Sequence, residues 1–164
     1  MSEATLIDVL PAHRIDESRL LSYLTGRIDG AEQGMRVQQF QGGQSNPTYL
    51  LSLGEQRYVL RKKPPGKLLP SAHMVEREYQ VINALGSTDV PVPTARLLCE
   101  DPEVIGTAFY VMDYVEGRVH TQPLLGDVEQ SQRLPIYRSM IETMAQLHNV
   151  DWKAVGLESY GKAE

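Results

Sequence analysis

Three strand-like runs that follow one another between residues 35 and 62 constrain the fold of this chain most. They are Met35–Gln41, Thr48–Leu53 and Arg57–Lys62, and they are separated by the glycine-bearing turn 42–47 and by the turn 54–56. Runs of this length joined by Gly, Asn and Pro turns are typical of neighbouring antiparallel strands. The sequence therefore predicts a three-stranded β-meander.

A helix is predicted before the meander. Three leucines with helical spacing lie between Asp16, which is a suitable N-cap, and Gly26, which is suited to end a helix. We interpret residues 1–34 as an N-terminal helical appendage to the sheet.

A second helix and two further strands are predicted after the meander. The segment Ser71–Leu85 has helical periodicity, with Ser71 available as N-cap and Gly86 just beyond its end. The runs Ala95–Cys99 and Ala108–Met112 then predict a second hairpin. The chain is therefore expected to have an α+β fold with five antiparallel strands.

The connector 113–117 leads towards a last helix, on which Pro135 is expected in or near the first turn. Several apolar residues share one face of this helix. This face consists of one histidine, His148, and of Tyr137, Met140, Ile141, Met144 and Leu147.

The charge balance excludes some classes of partner. The formal net charge is -5, so the chain has no overall positive field that would attract nucleic acid or an anionic membrane. The apolar runs are far shorter than a membrane span requires. The single cysteine cannot form an internal disulfide, and no Cys/His cluster has zinc-site spacing, so we expect a cytoplasmic protein without a structural metal.

Glu78 lies in the middle of the apolar stripe of the second helix, while Glu76, Gln80 and Asn83 are placed on the opposite face. An unpaired carboxylate is costly to bury, and a guanidinium can satisfy it. Arg61, at the end of the third strand, is the predicted partner. Two alternatives stay open: a shift of strand register would present Lys62 or Lys63 instead, and all these charges could simply be solvated.

The turn 42–47 is a candidate phosphate-binding loop. Gly42 and Gly43 leave backbone N–H groups accessible, and Ser45 adds a hydroxyl donor. The alternative is that these glycines and Asn46-Pro47 only shape the turn of a hairpin.

The end of the last strand and the connector after it form a third candidate. Met112 and Tyr114 offer apolar contact, and an extended backbone offers hydrogen bonds to the edge of a base. A connector at this point would also be needed in a two-lobed protein that binds no base.

Taken in order, these segments resemble the N-terminal part of the aminoglycoside phosphotransferase family, in particular the branch associated with acyl-CoA dehydrogenases. The resemblance covers about residue 35 to the end of the chain. It is carried by five motifs, namely Phe40–Tyr49, Tyr58–Pro64, Arg77–Tyr79, Phe109–Gly117 and Leu147-His148.

This resemblance implies the small lobe of a protein-kinase-like enzyme, with a five-stranded antiparallel sheet and one helix over residues 35–112, and a hinge with the start of a helical lobe over 113–164. It implies that ATP or GTP binds with Mg²⁺. Arg61 occupies the place where kinases usually carry a lysine, and Glu78 is its partner. The remaining implied nucleotide contacts are the phosphate loop of Gly42, Gly43, Ser45 and Asn46 and the hinge of Met112, Asp113, Tyr114 and Val115.

The resemblance also implies residues that this sequence does not contain. Family members carry a His-Gly-Asp stretch and a second Asp-containing stretch, which hold the catalytic base and the metal ligands, beyond the small lobe. No His-Gly-Asp occurs here. We therefore expect a truncated chain that lacks catalytic and metal-binding residues and does not transfer phosphate to a small-molecule hydroxyl by itself. A non-catalytic nucleotide- or protein-binding module is the alternative, and the uncovered apolar helix face predicts self-association.

Overall fold

The computed structural model describes residues 5–41, 46–66, 73–120 and 122–161. Within these residues the core element is a six-stranded antiparallel sheet with the order β1-β2-β3-β4-β6-β5. Its strands are β1 Leu6–Ile7, β2 Met35–Phe40, β3 Thr48–Leu53, β4 Gln56–Lys62, β5 Ala95–Cys99 and β6 Phe109–Asp113. The helices are α1 Glu17–Leu24, α2 Val75–Leu85, the single turn α3 Pro102–Ile105, and α4 Gln130–His148.

The α+β architecture and all five predicted strands are confirmed, with ends that differ by at most one residue. The structure adds β1, which pairs with the outer edge of β2 through Leu6 and Ile7. A strand of two residues has no alternation to detect, so the sequence did not reveal it.

The N-terminal segment forms one layer of the core. The predicted helix is confirmed as α1, where the Asp16 side chain accepts a hydrogen bond from the Arg19 backbone N–H at 2.9 Å. However, Leu20 and Leu24 are fully buried against sheet residues such as Leu60. The division of the chain into 1–34, 35–112 and 113–164 stays a prediction, but "appendage" does not describe a segment that covers one face of the sheet.

The pleat of β4 divides its side chains between the two faces of the sheet. Tyr58 and Leu60 belong to the core beneath α1, whereas Arg61 points to the other face, where α2 packs. Leu60 pairs with Tyr49 and Val111 on the neighbouring strands, which fixes the register of β4. We call the face that carries Arg61 the cleft face.

Helix α2 begins later than predicted. It starts at Val75, after an N-cap position at Met74 that makes no side-chain capping bond, and the predicted cap Ser71 lies outside the described residues. The backbone of His73 has φ of 61°, a left-handed conformation that interrupts a helix. Residues 73 and 74, which the periodicity assigned to the helix, are therefore not helical.

Helix α4 confirms the predicted last helix but not the place of its proline. Pro135 is the sixth residue of α4, in its second turn, because the helix begins at Gln130. None of the 19 residues of α4 is buried, and Met140, Ile141 and Met144 are at least half exposed. No helix in the described part of the chain is both long and apolar enough to span a bilayer.

Candidate functional site

An ion pair joins β4 to α2 on the cleft face. Arg61 Nε lies 3.3 Å from Glu78 Oε2, and about one third of each side chain is exposed. The N–H of Nε is not aligned for a hydrogen bond to this oxygen. The predicted contact is thus present, as an electrostatic pair at the edge of a buried region.

The register of β4 also determines which of Arg61, Lys62 and Lys63 pairs with Glu78. Lys62 points to the opposite, core face, where it is 4% exposed and burial lowers the pKa of its ammonium group. Lys63 returns to the cleft face but pairs with Glu76. Glu76 is therefore half-buried rather than on the solvent side of α2 as predicted, because Lys63 reaches it from the end of β4.

Glu78 is held by two further side chains. Asn46 Nδ2 donates a hydrogen bond to Glu78 Oε1 at 2.8 Å, and the Tyr110 hydroxyl donates to Glu78 Oε2 at 3.1 Å. Burial and, next, the neighbouring Glu78 carboxylate raise the pKa of Tyr110, so its hydroxyl remains a donor. The carboxylate therefore keeps partners on both of its oxygens besides Arg61.

The described part of the turn is anchored at Asn46. Its side chain is 4% exposed, its Oδ1 lies 3.0 Å from His73 Nδ1, and its carbonyl accepts a hydrogen bond from Thr48 Oγ1 at 3.0 Å. The predicted loop residues Gly42, Gly43 and Ser45 lie outside the described residues, so their role stays a prediction.

A mainly apolar cavity of about 560 Å³ adjoins the ion pair. Its wall includes Thr48, which is the cross-strand neighbour of Arg61, so the cation stands beside the cavity. The predicted hinge residues Met112, Asp113, Tyr114 and Val115 line it, together with Phe40, Val59 and residues 91–93 and 116–119. Its size and apolar walls suit a flat heteroaromatic ring.

Side chains from β4 and β5 brace the hinge residues Asp113 and Tyr114. Arg96 binds Asp113 with two hydrogen bonds, from Nε at 2.6 Å and from Nη2 at 2.8 Å. These bonds lower the pKa of the Asp113 carboxyl. Arg57 lies over the Tyr114 ring, 4.6 Å from its centroid, and binds Glu116 at 2.6 Å. The Asp113 side chain is therefore bound to Arg96 and is not available to bind a nucleobase.

The sequence analysis did not identify Phe40, Thr48, Tyr110 and Arg96 as parts of this region. Tyr110 could have been found, since it is the only hydroxyl-bearing residue among the apolar residues 108–112 and stands opposite Arg61 in the sheet. Arg96 carries no such signal, because its contact with Asp113 depends on the pairing of β5 with β6. The described residues contain no group of three or more His, Cys, Asp or Glu side chains placed to hold a metal ion.

Comparison with known proteins shows a match to the model of the phosphotransferase enzyme family over residues 36–164. The chain is 49% identical over 159 residues to "Probable acyl-CoA dehydrogenase IBR3" from Arabidopsis thaliana, covering 92% of this chain and 19% of that protein. It is 44% identical over 163 residues to human acyl-CoA dehydrogenase family member 11, covering 97% of this chain and 21% of the relative. The chain thus spans about a fifth of the length of these relatives.

A crystal structure of similar fold comes from Ralstonia eutropha JMP134, from a protein described as an aminoglycoside phosphotransferase. The TM-score is 0.76 and the sequence identity is 42%, and the similarity covers 91% of this chain and 43% of the other. Sheet, cleft and hinge are therefore parts of a fold that recurs in a longer protein.

Proposed function

Because the chain belongs to the phosphotransferase enzyme family, we propose that it forms the nucleotide-binding lobe of a kinase-like enzyme. Its reaction would be phosphoryl transfer from ATP, or GTP, to a hydroxyl group of a small molecule. The lobe contributes to this reaction by placing the nucleotide and by neutralising phosphate charge, which are the main protein contributions to phosphoryl transfer.

The observation that carries this proposal is the position of the Arg61–Glu78 pair beside the cavity. A guanidinium has three nitrogens, and in Arg61 it is Nε that faces Glu78. Its two terminal amino groups suit the oxygens of a phosphate, which a guanidinium binds in a forked manner. The guanidinium of Arg61 is therefore suited to turn towards phosphate.

The cavity supports a place for the base, which is the end of the nucleotide opposite to the phosphates. The rings of Phe40 and Tyr114 and the side chains of Val59 and Met112 provide apolar walls for the base. The nucleotide would then lie with its base at the hinge and its phosphates towards Arg61 and the turn 42–45.

We expect the 164-residue chain alone to bind nucleotide without transferring phosphate, because its sequence lacks the His-Gly-Asp stretch that the family carries. In the enzyme Mg²⁺ would neutralise charge on the phosphate oxygens. The described residues offer no cluster of ligands for this ion.

The test is a titration with a non-hydrolysable ATP analogue and Mg²⁺, measured by calorimetry. Arg61→Ala and Glu78→Ala are each expected to weaken binding by about tenfold or more, as charged hydrogen bonds are lost. Arg19→Ala is the matched control, since Arg19 lies on α1, beyond the other face of the sheet, with a side chain 65% exposed. Absent binding by the wild type, or equal affinity in all four proteins, would remove the nucleotide assignment.

A second candidate is a non-catalytic module that binds nucleotide or a protein partner. It is favoured by one observation, Arg61 at a position where kinases usually carry a lysine. Single-turnover measurements on the full-length protein distinguish the two, because only the enzyme transfers the terminal phosphate.

A further inference from the structure

We propose that Asn46 is a positioning residue that keeps Glu78 in place when Arg61 turns to phosphate. The inference rests on the proposed function for its phosphate ligand, but the contact on which it depends is present without one. Asn46 is thereby assigned to the ion pair, whereas the family resemblance placed it with the phosphate loop.

The orientation of the Asn46 amide follows from its partners. The Glu78 carboxylate can only accept, so the amide nitrogen Nδ2 must face Oε1, as the 2.8 Å distance shows. The amide oxygen then faces His73 Nδ1, which must carry a proton to donate across the 3.0 Å contact. A flip of the amide would set its oxygen against Glu78 Oε1, with two acceptors facing each other. The network therefore has one orientation.

Because Asn46 is buried, a change of its amide orientation would cost free energy. The Asn46 side chain is 4% exposed, so a rotation away from Glu78 would strand an amide group away from water. The main chain is fixed as well, because Thr48 Oγ1 binds the Asn46 carbonyl and the Lys62 N–H binds the Pro47 carbonyl at 3.1 Å. Asn46 thus links the residues before β3 to α2.

This link is important because Arg61 would move towards phosphate, whereas Glu78 would stay in place. If Arg61 were the only partner of Glu78, contact of the guanidinium with phosphate would leave a carboxylate that is two-thirds buried without a donor. Asn46 and the Tyr110 hydroxyl remain on Glu78 in that event. The guanidinium can therefore move towards phosphate while the carboxylate and helix α2 stay in place.

The contact itself is tested by a double-mutant cycle on unfolding in the absence of nucleotide. Asn46→Ala and Glu78→Ala each remove the same hydrogen bond, so their effects on the free energy of unfolding should not add. Asn83→Ala, on the exposed side of α2, is the matched control and should add with Glu78→Ala. Additive effects of Asn46→Ala and Glu78→Ala would overturn the proposal, whether or not the protein binds nucleotide.

The positioning role is tested by exchanging donor and acceptor. Asn46→Asp sets a carboxylate against Glu78 and should weaken binding of the ATP analogue by about tenfold or more. Adding Glu78→Gln restores a donor–acceptor pair of reversed direction, so the double variant should bind more tightly than Asn46→Asp alone. If the wild type binds and the double variant gains nothing over Asn46→Asp, the positioning role is overturned. Absent binding by the wild type would overturn the proposed function and, with it, this role towards phosphate.

Discussion

The ring of Phe40 lies nearly parallel to the ring of Tyr114, with the centroids 6.4 Å apart and the planes inclined by 14°. Phe40 ends the strand before the turn 42–45, and Tyr114 begins the hinge after β6. This stack therefore joins the end of β2 to the hinge and forms one wall of the cavity proposed for the base.

Removal of this wall should weaken nucleotide binding. Phe40→Ala is expected to lower the affinity for the ATP analogue by about threefold to tenfold, which corresponds to the loss of one aromatic pair. Calorimetric titration measures the change. Trp152→Ala removes a large, half-exposed ring outside the cavity and should leave the affinity unchanged. An unchanged affinity in Phe40→Ala would place the base elsewhere.

The brace between Arg96 and Asp113 predicts a dependence of stability on pH. The pair lowers the pKa of Asp113 below its unfolded value of 3.8, so its stabilising effect is present above that value and is lost as the pH falls through the folded pKa. Asp113→Asn should lower the free energy of unfolding at neutral pH by up to about 1 kcal/mol, since the pair is partly exposed.

Chemical denaturation of wild type and Asp113→Asn at neutral and at strongly acidic pH measures this effect. The difference between the two proteins should vanish at the acidic end. A difference that persists there would mean that Asp113 stabilises the fold other than through its charge.

Lys62 predicts a second dependence of stability on pH, with the same direction but in the alkaline range. The residue is 4% exposed and burial lowers its pKa, so the charged form destabilises the folded state at neutral pH. Lys62→Met should therefore raise the free energy of unfolding by about 1 kcal/mol. The gain should shrink as the pH rises towards the unfolded pKa of 10.5. Thermal unfolding between neutral and alkaline pH tests this, and a destabilised variant would contradict it.

The N-terminal layer should be as important to stability as the sheet. Leu20→Ala removes a fully buried side chain of α1 and is expected to lower the free energy of unfolding by about 2–5 kcal/mol. Leu124→Ala, at a residue that is 81% exposed, is the matched control and should change it by less than about 0.5 kcal/mol. Equal effects of the two substitutions in urea unfolding would show that α1 does not support the core.

The apolar face of α4 leads us to propose that the isolated chain self-associates. Leu134, Met140, Ile141, Met144 and Leu147 are between 46% and 67% exposed. Sedimentation velocity should show association that rises with concentration, and the double variant Ile141→Gln/Met144→Gln should remain monomeric. Glu142→Gln, an exposed neighbour on α4, serves as the control. A wild type that stays monomeric at all concentrations would refute this proposal.

The strands and the Arg61–Glu78 pair were predictable because each leaves a local signal. Gly, Asn and Pro turns separate the strands, and a carboxylate within an apolar stripe requires a partner. The choice between Arg61 and Lys62 was not predictable in the same way, because it depends on the register of β4, and a shift of one residue exchanges the faces of a strand.

The structure differs from the sequence-based predictions at positions that depend on contacts between segments far apart in the chain. The position of Asn46 against Glu78 requires the turn to approach α2, which periodicity within one segment cannot reveal. The start of α2 at Val75 depends on the backbone of His73, and the burial of Leu20 depends on strands from β2 onwards, and β2 begins 15 residues later. These are properties of the tertiary structure.

The family match begins at residue 36, but α1 and β1 precede it: α1 packs into the core, and β1 pairs with the edge of β2. A boundary set by sequence similarity would therefore cut through a cooperative folding unit. Expression of the matched region alone would leave one side of the sheet bare to water and the edge of β2 open to pairing with another chain. Aggregation, rather than a smaller soluble domain, is the outcome to expect from such a truncation.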